Sequence, residues 1–186
     1  MSSIASERSR NEMSQSPLAA RGQMVVVDAK SLEEALAALN RPSTSWLIAN
    51  GRNFGDFETI ALSQALRQNK TLSELSLAGN SIGPDGAAAL GCAVGGHPTL
   101  RELYVQKNTI GPVGFERMAR GIMSCGGAPG LRILNASDNA IGPTIPPDIA
   151  LPCLVSLQLS RNSIEEVPVA LAECPSLHEV ALDDNP

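Results

Sequence analysis

Aromatic residues are scarce, with one Trp, one Tyr and three Phe in 186 residues. Any core must therefore be built from Leu, Ile, Val and Ala, which supply nearly all of the 43% hydrophobic content. Histidine is scarcer still, and a chain holding only His97 and His178 cannot assemble a three-histidine zinc site. Four cysteines, Cys92, Cys125, Cys153 and Cys174, form no CxxC pair and no regular ligand spacing, so they read as reduced thiols of an intracellular protein. Basic charge is in deficit: 14 Lys and Arg against 19 Asp and Glu leave a net charge of −5, the wrong sign for a generic nucleic-acid binder. No membrane span is expected, and the first 24 residues lack the apolar core of an export signal. The expected location is cytoplasmic, with cytoskeletal or flagellar association as the alternative.

Motifs of catalysis are missing as well. The nearest text to a phosphate loop, Gly121 to Gly127, has no lysine. Glu165 and Glu166 are neighbours on a loop rather than carboxylates facing across a cleft. His178 near Asp183 and Asp184 reads as a solvated acidic strand end. No enzyme activity, cofactor or metal site is expected.

A tandem repeat is present in their place. Leu72-x-x-Leu75-x-Leu77-x-x-Asn80-x-Ile82 returns at Leu100–Ile110, Leu131–Ile141 and Leu154–Ile164, and in part at Leu177–Asn185. A degenerate earlier copy places Leu47 and Ala49 on Leu75 and Leu77, with Arg52 in the asparagine column. The period of two within each LxxLxL run sends the leucines to one face of a short strand and the x residues to the other. An asparagine amide carries both donors and an acceptor, so Asn80, Asn108, Asn139 and Asn162 are expected to satisfy the backbone where the chain leaves each strand. Leu62, Leu90 and Met118 stand ten residues after the marker, and Leu66, Val94 and Ile122 fourteen after it. This i, i+4 spacing predicts one buried helix face per long repeat.

These columns resemble the leucine-rich repeat family over about residues 44 to 185. Marker positions 52, 80, 108, 139, 162 and 185 change spacing from 28 and 31 to 23. The long units are similar to the ribonuclease-inhibitor subclass. The short ones are similar to the typical subclass, whose Asn-x-Ile-x-x-Val-Pro-x-x-Leu pattern is clearest from Asn162 to Leu171. The resemblance implies an α/β solenoid with a parallel strand layer on one face, and helices followed by 3₁₀ or extended segments on the other. Three parts are expected: a disordered tail over 1–23, a capping segment over 24–43 and a repeat domain over 44–186 of about six units, the last incomplete. Within the cap, Ser31 and Glu34 form a capping box ahead of the apolar stripe Leu32, Ala35, Leu36 and Leu39.

Function is read from the outward strand positions. On the middle strands Arg101, Lys107, Arg132 and Arg161 surround Tyr104, Ile133 and Val155, the composition of a protein-binding patch. Small residues such as Ser73 and Ser76 thin the preceding strand. Trp46 and Ile48 are expected beneath the N-terminal lid. The leading expectation is a non-catalytic interaction module with a protein partner. The alternatives are a structural component of a cytoskeletal or flagellar assembly, and a regulator of an enzyme or small GTPase. The chain stops inside a unit, so self-association through a bare C-terminal end is a further expectation. A membrane and nucleic acid are not expected partners.

Overall fold

The computed structural model describes residues 24–186, and the tail expected over 1–23 lies outside them. Strands β1 (Val25–Asp28), β2 (Thr44–Ile48), β3 (Glu74–Ser76), β4 (Glu102–Tyr104), β5 (Ile133–Asn135), β6 (Ser156–Gln158) and β7 (Glu179–Ala181) form one parallel sheet in chain order. Helices α1 (Leu32–Leu39), α2 (Asp56–Gln68), α3 (Pro84–Gly95), α4 (Gly111–Ser124) and α5 (Val169–Ala172) connect them. The result is an α/β solenoid.

Register carries the core. Leu47, Leu75, Leu103, Leu134 and Leu157 are directly opposite one another on successive strands and are at most 1% exposed. Val180 continues the rib on β7, which no further strand among the described residues covers, and is exposed. On the helices Leu62, Leu90 and Met118, with Leu66, Val94 and Ile122, are buried against this rib. Each such side chain contributes about 1.5–3 kcal/mol by leaving water. Helices α3 and α4 approach so closely that a Cβ on Gly91 would lie 2.3 Å from the Met118 carbonyl oxygen. A bulkier residue would force them apart.

The asparagine column forms the expected ladder. Asn108 Nδ2 donates to the carbonyls of Leu77, at 3.0 Å, and Val105, at 2.8 Å, while its Oδ1 accepts the Ile82 N–H at 3.0 Å. Asn80, Asn139 and Asn162 each likewise donate to their own repeat and the one before. Arg52, which breaks the column in sequence, keeps its backward reach. Its Nε donates to the Ala29 carbonyl at 2.9 Å and its Nη2 to Asp28 Oδ1 at 2.9 Å, fastening β1.

Two local signals turn out differently from their simplest reading. Ser31 Oγ accepts the Glu34 N–H, but the Glu34 carboxylate takes the N–H of Lys30 rather than that of Ser31, one residue upstream of a reciprocal box. Asp56 stands where later repeats have Pro, and it reaches into the next unit: its Oδ1 accepts the N–H groups of Gly83 and Gly86, each at 2.8 Å. It thus satisfies two of the free amides at the start of α3. Beyond residue 140 no helix separates β5 from β6, and α5 is a single turn behind Pro168. The shorter period leaves no chain for a longer one.

Candidate protein-binding face

The side of the sheet away from the helices is built from the x positions. Parallel register stacks them into columns: Trp46, Glu74, Glu102, Ile133, Ser156 and Glu179 in one, and Ile48, Ser76, Tyr104, Asn135, Gln158 and Ala181 in the next. Upstream of the strands Arg101, Arg132 and Val155 follow one another, linked by Arg132 N–H to Arg101 O at 2.7 Å and Val155 N–H to Arg132 O at 2.8 Å. Downstream lie Lys107, Asp138 and Arg161, all with positive φ of 54° to 58° where the chain turns off the strand.

The seven residues expected as a binding patch fall on three parts of this face. Tyr104 and Ile133 are half-buried at its centre. Arg101, Arg132 and Val155 line one margin and Lys107 with Arg161 the other, about 20 Å away by strand rise. Three of the cations have partners within the repeats. Arg101 Nη1 donates to the Gly130 carbonyl at 3.3 Å, Arg132 Nη1 to the Cys153 carbonyl at 2.9 Å, and Arg161 Nε to Asp138 Oδ1 at 2.8 Å. Lys107 and Val155 are exposed.

Between the margins the centre is acidic and aromatic. Glu74 lies directly opposite Glu102 on the next strand and Trp46 on the previous one. Burial first, and then the negative charge of Glu102, push the Glu74 carboxyl up to about 7. Tyr104 donates its hydroxyl proton to Glu102 Oε2. Burial and the two carboxylates raise the phenol well above its usual value. Ser76 and Ser156 stand at outward positions, yet they are only 3% and 6% exposed because larger neighbours about 4.8 Å away cover them. Trp46 is 7% exposed and Ile48 half-buried, with β1 laid alongside so that Val26 and Asp28 are opposite them.

Glu74 and Glu102 occupy outward x positions, but neither is among the seven residues expected as the patch. A signal for them exists: 46, 74 and 102 are spaced by one repeat each, so a Trp and two acids must stack in a single column.

A family model described as leucine-rich repeat matches residues 68–91 and again 96–119, the segments that carry β3 with most of α3 and β4 with most of α4. The chain carries leucine-rich repeats. No curated protein matches it significantly. Leucine-rich repeats generally mediate protein–protein interaction and are typically non-catalytic. In this leucine-rich repeat array no helix among the described residues is long and apolar enough to cross a membrane.

Proposed function

We propose that the chain is a non-catalytic interaction module that holds a protein partner on the helix-free strand face. One observation carries the reading. The inward column repeats Leu47, Leu75, Leu103, Leu134 and Leu157 almost without change, whereas the outward column beside it runs Trp46, Glu74, Glu102, Ile133 and Ser156. Packing dictates the first set. Nothing in the fold requires the second, and aromatic and charged residues held side by side on a rigid sheet suit recognition. Tyr104 and Ile133 sit at the centre of the proposed contact, Arg101, Arg132 and Val155 on one margin, and Lys107 and Arg161 on the other.

Tyr104→Ala combined with Arg132→Glu tests this reading. The double variant is expected to lose most of the partner captured from a lysate by the parent chain, while its thermal transition stays cooperative. Undiminished capture would remove the middle strands from the contact.

A further inference from the structure

Two carboxylates directly opposite each other on neighbouring strands repel, and a sheet gains nothing from the arrangement. Glu74 and Glu102 are so placed, and among the described residues neither is in an ion pair. Glu74 is 4% exposed, and its Oε1 is buried without a hydrogen-bond partner. The same holds for Nε1 of Trp46, the residue opposite Glu74 on β2 and 7% exposed. A buried acceptor and a buried donor thus stand unsatisfied on adjacent strands of one face, an arrangement that folding alone does not favour. The Tyr104 ring completes the cluster beside Glu102.

We propose that this cluster is the seat for an arginine side chain from an extended segment of the protein partner, a reading that rests on the strand-face function above. Charge complementarity selects the occupant. A guanidinium presents several N–H donors in one plane, enough to serve the free oxygens of both acids at once. It also stacks favourably on indole and phenol rings. The segment's backbone supplies a carbonyl oxygen for the Trp46 N–H. A bare metal ion satisfies the acids but leaves that donor orphaned, and two carboxylates are few ligands for a hard cation. The seat lies on β2, β3 and β4, toward the N-terminal end of the expected patch.

Trp46 is the single tryptophan of the chain, so its emission reports on the seat without a label. The probe is the pentapeptide acetyl-Gly-Gly-Arg-Gly-Gly-amide, titrated into the full chain at pH 8, with the glutamine analogue as control. The arginine peptide is expected to shift Trp46 emission saturably, with a midpoint of about 1 mM or below, and the glutamine peptide to leave it unchanged. Glu102→Gln and Glu74→Gln should each weaken binding at least about tenfold. Glu102 is only half-buried, so Glu102→Gln keeps the test alive if the variant at Glu74 fails to fold. Absence of a saturable shift in the parent chain up to about 10 mM, an equal response to the glutamine peptide, or undiminished binding by Glu102→Gln would each overturn the proposal. A third variant replaces Arg8, Arg10 and Arg21 with serine. Its midpoint should equal that of the parent, and a several-fold tighter one would assign the seat to the chain's own N-terminal segment and overturn the proposal. Failure of the peptide titration leaves the strand-face reading standing if Tyr104→Ala with Arg132→Glu abolishes partner capture, so the two fail separately.

Discussion

His97 takes over one repeat later the place held by Asn69. Asn69 Oδ1 accepts the N–H groups of Thr71 and Leu72 at 2.9 and 2.8 Å, and His97 Nδ1 those of Thr99 and Leu100 at 3.4 and 3.1 Å. Both side chains hold the turn that leads into the next strand. An imidazole can accept there only while Nδ1 is unprotonated.

Acid sensitivity follows from that bond. Burial, with the charge of Lys70 adding to it, lowers the His97 pKa from 6.5 to about 4. The unfolded chain therefore binds more protons than the folded one between these values. The stability that the neutral ring contributes is complete above about 6.5 and is lost as the pH falls toward 4. His97→Asn should keep the turn bonds and abolish this loss. Urea unfolding midpoints of parent and variant, measured from pH 4 to 7, should converge at the upper end and separate at the lower one. A constant difference would mean that His97 does not titrate in this way.

Glu74 pulls in the opposite direction. Its carboxyl is raised from 4.5 to about 7, so the folded state holds the extra proton, and the associated stability is complete below 4.5 and lost as the pH rises to about 7. Between 4.5 and 6.5 the two groups offset each other. Relative to the parent, Glu74→Gln should gain stability steadily as the pH is raised from 4.5 to 7. A difference independent of pH would show that Glu74 ionises normally.

Replacing Gly91 by alanine, which in an isolated helix is worth up to about 1 kcal/mol of stability, should here have the reverse sign. The new Cβ would sit 2.3 Å from the Met118 carbonyl oxygen, and backbone cannot swing aside as a side chain does. A loss of about 1–3 kcal/mol in chemical unfolding is expected. A stabilised variant would mean that α3 and α4 can separate freely.

Position along the ladder should decide what an asparagine is worth. Asn108 donates to the carbonyls of Leu77, Val105 and, at 3.4 Å, Gln106, Asn185 to those of Leu159 and Leu182, and each accepts one N–H. Asn108 is buried, whereas Asn185 is half-buried in the last repeat. Asn108→Ala leaves the Ile82 N–H without an acceptor away from water and strips one side-chain donor from each of the Leu77 and Val105 carbonyls, which keep Asn80 and Asn139, and should cost about 2–3 kcal/mol. At Asn185→Ala water can take the vacated places, and about 1 kcal/mol is expected. Equal losses at the two positions would remove burial as the cause.

Much of this architecture is legible in one dimension, because a repeat that must stack on copies of itself shows its packing as columns. Leu75, Leu103, Leu134 and Leu157, the i, i+4 pairs such as Leu90 with Val94, and the asparagine ladder follow from spacing alone. Arg52 is harder to read, since nothing in the sequence says that a guanidinium will reach the Ala29 carbonyl in place of an amide. Asp56 is hidden for the same reason, as its partners Gly83 and Gly86 belong to the next unit.

By itself the sequence determined which side chains point inward, which helix face is buried and where one unit gives way to the next, because the periods of 2 and 3.6 and the length of each unit leave little choice. Only the tertiary structure decided what the outward residues do. It turned Arg101 and Arg132 onto backbone carbonyls just ahead of the following repeat, paired Arg161 with Asp138, and sank Glu74 between Trp46 and Glu102. Those outcomes depend on distances between neighbouring strands and on how far a long side chain can bend across them, and no pattern within one repeat records either.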